Sequence, residues 1–222
     1  MTTFILASAS PARQAVLTAA GIDALVHVSG IDEDALAAAN PTALPADLVV
    51  ILARAKAEFV AGALREQHPD AVVVGCDSML HLDDELIGKP HDEATARRRW
   101  AQMTGRAGDL LTGHLVLRIS GGVVTSTASG TCSTSVQIGD PSDEELDAYL
   151  ATGEPLAVAG GFTLDGYGGW FVDGVIGDPS SVVGISLPLT RRLLREVDIR
   201  VTDLWRTRPG AEGNGHQGAV NK

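Results

Sequence analysis

The chain has 222 residues, 45% of them hydrophobic and 20% charged, with a formal net charge of −11. Such a chain can bury a real core as one domain or two closely packed lobes, and its acidic balance disfavours broad, sequence-independent nucleic-acid binding, which requires many phosphates to be neutralised at once. No apolar run approaches the roughly 20 residues that span a bilayer, and the Met1-Thr2-Thr3 start lacks a signal peptide's basic and apolar regions, so a cytoplasmic protein without a membrane partner is expected.

In chain order, the first expected element is a strand over Phe4 to Ala7, running into the small-residue turn Ser8-Ala9-Ser10. Ser10 suits a helix cap and Pro11 the first helical position, so a helix follows from Pro11 to Ala20. Free backbone N–H groups at such a start hold an anion. Arg13 shares a stripe with Val16, Leu17 and Ala20, and its guanidinium fits phosphate as a planar fork. Asp32, Glu33 and Asp34 form an acidic run, open to two readings: a metal carboxylate at Glu33 or a solvated loop.

Leu48, Leu52, Ala55 and Phe59 repeat at helical spacing, giving a long amphipathic helix over Ala46 to Arg65. Lys56 falls at the border of that face while Arg54 and Glu58 point away, which makes Lys56 the cation placed to reach a cleft. Val72 to Val74 reads as a short buried strand ending at Gly75 to Asp77, and Met79 to Ile87 as a hairpin turning at Asp83-Asp84. Asp77 at that strand end could equally cap a turn, and Lys89 between Gly88 and Pro90 read alone is a surface lysine.

A helix over Asp92 to Met103 carries Arg97-Arg98-Arg99, read as a solvated face, and Leu110 to Ile119 pairs with Val123 to Ile138 across Gly121-Gly122. Ser142 to Leu150 is a short helix with three acids in its first turn, a glycine-rich stretch follows from Gly153 to Gly169, and the last helix spans Leu187 to Val197. Beyond Trp205 the composition cannot pack, so a single domain over 1–205 with a disordered tail over 206–222 is expected. Cys76 and Cys132 read as reduced core residues, and His27, His81, His91 and His114, which match no metal spacing, as turn or surface residues.

Taken together, LASASPARQAVL, GIDE at Gly30 to Glu33, ARAKA at Ala53 to Ala57, VVGCDS, IGKP, Thr112-Gly113, YLATGEP and GDPSSVVGISLP resemble, in order, the pattern of the Maf family over roughly Phe4 to Val197. The resemblance implies an α/β fold with an elongated mixed sheet and two lobes around a deep cleft, similar to inosine triphosphate pyrophosphatases. It also implies a homodimeric, metal-dependent nucleoside triphosphate pyrophosphatase that releases nucleoside monophosphate and pyrophosphate. On that reading Asp77 resembles the family's proton acceptor. Glu33 and Asp77 hold Mg²⁺ or Mn²⁺, Lys56, Lys89 and Arg13 counter phosphate charge, and Ser8 and Ser10 orient phosphate oxygens.

The departures from the family pattern fall where the base is read. The usual SPRR is here Ser10-Pro11-Ala12-Arg13, the usual ADT is Cys76-Asp77-Ser78, and Asp165 takes the place of a Gln, with Val158 in place of a lysine. Ala12, Ser78 and Asp165 are therefore the candidate specificity residues, and preference for dTTP or UTP is not carried over. Asp165 suits the donors of a guanine edge, or is a plain turn residue. The substrate expected is a nucleoside triphosphate, modified or non-standard ones included. The alternative is a nucleotide-binding regulator of cell division acting through a protein partner, which would have no need of the Asp77, Lys56 and Lys89 set.

Overall fold

In the computed structural model, which describes residues 2–206, alternating and continuous apolar runs build a seven-stranded sheet. Its strands are β1 (Thr3–Ala7), β2 (Leu25–Val26), β3 (Asp70–Leu82), β4 (Glu85–Ile87), β5 (Ala107–Ser120), β6 (Val123–Ile138) and β7 (Val172–Ile176), in the order β2-β1-β3-β5-β6-β7 with β4 also on β3. β1 runs parallel to β2 and β3, and every other pair is antiparallel. The tail expected over 206–222 lies, from 207 onward, outside the described residues.

Local signals account for the turns and helix starts. The β3–β4 hairpin turns on Asp83 and Asp84 and the β5–β6 hairpin on Gly121 and Gly122, all four at positive φ as two-residue turns of this hand require. Ser10 caps α1 (Pro11–Ala19), Asp92 caps α4 (Glu93–Met103), and Ser142 with Glu145 forms a capping box on α5 (Asp143–Ala151). The remaining helices are α2 (Glu33–Ala38), α3 (Pro45–Leu64), α6 (Pro179–Val183) and α7 (Leu187–Glu196), while the glycine-rich stretch forms 3₁₀ turns at Glu154–Ala157, Ala159–Gly161 and Tyr167–Phe171. No helix among the described residues is long and apolar enough to cross a membrane.

Three groups of buried residues flank the sheet. On one face α1 and α7 cover Leu6, Val72, Val74 and Val116, and on the other α3 covers Ile5, Val73, Leu115 and Leu117. Around the far end of β3, Leu80, Leu82, Trp100, Met103, Tyr149 and Phe162 make a separate core with α4 and α5. The two lobes expected from the sequence are these two ends of one sheet, and the chemistry-bearing residues lie where one core stops and the other begins.

The face that α3 buries differs from the expected one. Val49, Leu52, Ala53, Lys56, Ala57, Val60, Ala61 and Leu64 are buried, whereas Phe59 is 49% exposed. The reason lies in the sheet rather than in the helix: a Cβ at Gly75 would strike the Ala53 carbonyl, and one at Gly113 would strike the backbone of Val49. These two glycines, one on β3 and one on β5 two register positions apart, let the alanine side of α3 sit directly on the strands. The rotation carries Lys56 from the border of the helix into the middle of its buried face.

His114, expected at a turn or the surface, is instead fully buried on β5. The Ser186 amide donates to its Nε2 at 2.9 Å, so the proton sits on Nδ1, which donates to the Thr112 carbonyl at 3.0 Å. Burial pushes this imidazole down to about 4 from an ordinary 6.5. Between those values the unfolded chain binds a proton that the folded chain refuses. The stability this supplies is complete above pH 6.5 and lost as pH falls toward 4, by about 3 kcal/mol. The urea midpoint should therefore drop between pH 7 and pH 4.5, and drop less in His114→Gln; an equal drop in both proteins would contradict this role.

Candidate active site

Asp77 does not end its strand. β3 continues past it because β5 pairs with it as far as His81, Asp77 opposite Gly113. What ends at this point is the neighbour on the other edge: β1 covers β3 only as far as Gly75, and β4 begins opposite Leu80. Cys76 to Met79 thus line an interruption in one edge of the sheet, just past the carboxyl end of β1. Side chains alternate across it, Asp77 toward α3 and Cys76 and Ser78 toward α1.

On the α3 side, Lys56 Nζ lies 2.6 Å from Asp77 Oδ1 and 3.0 Å from Glu33 Oε1. Lys56 and Asp77 are 5% exposed, so this is an ion pair largely removed from water, with the half-exposed Glu33 at its mouth. Glu33 is not in a loop: Asp32 caps α2 and Glu33 opens its first turn, an arrangement the helix dipole favours. Burial raises Asp77 above the usual carboxylate value, with Lys56 and Arg13 pulling the other way and Glu33 adding to the rise. Burial acts the same way on Glu33, but Lys56, bonded to it, together with Lys89 and Arg13, holds it below the usual range. The two carboxyl groups are thereby driven apart in basicity, the inner one the stronger base.

On the α1 side, Arg13 ties three segments together. Its Nε donates to the Gly184 carbonyl at 2.7 Å, one terminal nitrogen to Ser8 Oγ at 2.9 Å and the Cys76 carbonyl at 3.0 Å, and the other to Ser78 Oγ at 3.2 Å. Four of its five N–H donors are used within the protein, so one N–H remains for a ligand instead of the open fork expected from the sequence. Ser78 is equally committed: Thr112 donates to the Ser181 carbonyl and so must accept from Ser78, which in turn accepts from Arg13. Ser8 Oγ accepts from Arg13 and from the Ser10 amide, leaving its own O–H to donate, while Ser10 Oγ caps the Arg13 amide.

The sequence profile of the family described as Maf-like protein matches residues 3–197. The chain belongs to the Maf family. It is 62% identical over 205 residues to a protein of Nocardia farcinica, covering 92% of this chain and 97% of that one. A Saccharopolyspora erythraea protein is 59% identical over 203 residues, covering 91% and 96%, and one from Rhodococcus erythropolis 57% over 209, covering 93% and 98%. All three are named nucleoside triphosphate pyrophosphatase.

In this Maf chain the remaining expected site residues are more dispersed. Lys89 is exposed, yet near enough to Glu33 to lower its carboxyl. Ala12 is half-buried on α1, and Asp165 is exposed in the loop between the 3₁₀ turns of the far lobe. The basic run is not solvated throughout: Arg97 bridges Asp147 at the surface, but Arg99 turns in and donates to the Gly88 carbonyl at 2.7 Å, beside Lys89. Cys76 and Cys132 are both free thiols, and burial pushes Cys76 up to about 11, too high for a nucleophile. Sequence reasoning on single residues missed Gly184, Ser181 and Thr112 as partners of the Arg13 network. Their only signal was membership of the GDPSSVVGISLP and Thr112-Gly113 segments.

Proposed function

We propose that this Maf protein is a nucleoside triphosphate pyrophosphatase that cleaves between the α- and β-phosphorus atoms, giving nucleoside monophosphate and pyrophosphate. The observation that carries the reading is the buried Lys56 held between Asp77 and Glu33 at the interrupted edge of β3, beside the Ser8–Arg13 turn. The names of its relatives support the same activity. A binding module has no use for a buried carboxylate of raised basicity, whereas water attack on phosphorus requires a proton acceptor.

Each residue then has a task. Asp77 takes the proton of the attacking water. Lys56 keeps that carboxylate aimed and offers positive charge to the phosphates, and the exposed Lys89, near enough to act on Glu33, meets the departing pyrophosphate. Ser8 donates its free O–H to a phosphate oxygen, Ser10 shapes the turn, and Arg13 contributes its one remaining N–H. Ala12, Ser78 and Asp165 bear on base choice, Ser78 through the network it shares with Arg13.

No group of three or more metal-binding side chains occurs among the described residues, but Glu33 and Asp77 are hard oxygen donors. Mg²⁺ commonly rests on one or two carboxylates plus substrate phosphates, so this pair fits Mg²⁺ or Mn²⁺. Such an ion, when bound, supplies Lewis acidity and positive charge for the phosphoryl oxygens. The proposal is of a cytoplasmic homodimer with a nucleotide substrate and no nucleic-acid or membrane partner.

The test is turnover of a panel of standard, methylated and deaminated triphosphates with Mg²⁺ or Mn²⁺. Hydrolysis of at least one, with a ranking among bases, is expected; a folded protein inert to all of them would contradict the reading.

A further inference from the structure

Glu154 has no part in the chemistry above, yet it is the most heavily engaged acid of the far lobe. Its Oε2 accepts the Tyr167 amide at 3.1 Å, and its Oε1 accepts the Gly168 amide at 3.1 Å and the Thr163 hydroxyl. Three N–H and O–H donors from one loop thus converge on one carboxylate. Burial opposes its ionisation, but these bonds hold it below the usual range. Tyr149 closes the ring, its hydroxyl accepting the Thr163 amide at 3.2 Å.

The loop's glycines are fitted to this acid. A Cβ on Gly166 would fall within the Glu154 carboxylate, and one on Gly168 would collide with the Tyr149 oxygen and the Thr163 backbone. Inside the turn sits Asp165, exposed, followed by Tyr167 at 63% exposure. The same stretch is pinned to the Lys89 segment: the Gly160 amide donates to the Gly88 carbonyl at 3.2 Å, the His91 amide to the Leu156 carbonyl at 3.1 Å, and Trp100 Nε1 to the Gly161 carbonyl at 2.9 Å. Glu154 therefore sets the shape of a loop whose root is fastened next to a proposed phosphate-binding lysine.

We infer that Glu154 is the positioning residue of nucleobase selection, fixing the Thr163–Gly168 turn so that Asp165 is presented at a set place relative to Lys89. The inference rests on the pyrophosphatase reading. Charge-assisted bonds to backbone amides are the stronger kind. Without them a loop of this glycine content samples many conformations, and the cost falls on binding a particular base rather than on the chemical step.

The experiment compares Glu154→Ala and Glu154→Gln with wild type. Hydrogen exchange, read without substrate, should accelerate at the Tyr167 and Gly168 amides by about tenfold or more in the alanine variant and less in the glutamine variant, which keeps one acceptor oxygen. With the best triphosphate of the panel, KM should rise about tenfold while kcat stays within about threefold, and the gap in kcat/KM between the best and second base should narrow. Unchanged exchange at these amides, or faster exchange with KM and base ranking unmoved, would overturn the assignment. Should the alanine variant fail to fold, the glutamine variant decides by the same readings. A wild type inert to every triphosphate overturns the pyrophosphatase reading instead, and the exchange data still report whether Glu154 holds the loop.

Discussion

Asp77→Asn is expected to lower turnover at least about a hundredfold, the lower end of what a positioned general base contributes. The substitution keeps the size of the side chain and an oxygen for Lys56, while Glu33 still balances the ammonium 3.0 Å away. The fold and nucleotide binding should accordingly survive. What is lost is the one carboxylate that burial makes a stronger base than its neighbour. Steady-state kinetics with circular dichroism as a folding control makes the test. Near-normal kcat in a folded Asp77→Asn protein would transfer proton acceptance to Glu33.

Lys56→Met should damage both chemistry and stability. Methionine fills the same channel under α3 but leaves Asp77 buried without its cation. Removing one partner of a buried pair costs about 3–5 kcal/mol, and loss of a positioned phosphate cation lowers turnover by about a hundredfold or more. The stability loss carries a sign that can be checked. Without Lys56 the folded pKa of Asp77 rises further above its unfolded value, so the loss is full where the carboxylate would be ionised and fades as acid protonates it. The wild-type minus variant difference in urea midpoint should be larger at pH 8 than at pH 5. A difference that does not change with pH would place Lys56 outside this pair.

These two residues also show what the sequence could and could not convey. Hairpin turns at Asp83-Asp84 and Gly121-Gly122, the helix cap at Ser10 and the starts of the helices at Asp92 and Ser142 were legible because they depend on a few adjacent residues. The orientation of α3 was not, because it depends on Gly75 and Gly113, two residues on different strands whose missing side chains admit Ala53 and Val49. A periodicity that counted Phe59 as apolar put Lys56 at the border. The alanine stripe, decided by the sheet, put it against Asp77.

The same non-local logic explains the other differences. Asp77 read as a strand end because polarity rises after Val74, but β5 continues opposite it and the true interruption belongs to β1. Glu33 read as one of three acids in a possible loop, whereas Asp32 is a cap that starts a six-residue helix and turns Glu33 toward Lys56. His114 was misplaced because a histidine between Gly113 and Leu115 gives no sign that the amide of Ser186, 72 residues later, will need an acceptor there. Arg13 was found, but its near-complete use by Ser8, Cys76, Ser78 and Gly184 emerges only once α1, β3 and the α6–α7 turn meet.

The central claim is that water attacks the α-phosphorus under Asp77, and phosphorus NMR of a reaction run in ¹⁸O-labelled water tests it most directly. Nucleoside monophosphate and pyrophosphate should appear in equal amounts, with the isotope-shifted resonance on the monophosphate alone. Label on the pyrophosphate, or products that are a diphosphate and free orthophosphate, would contradict it.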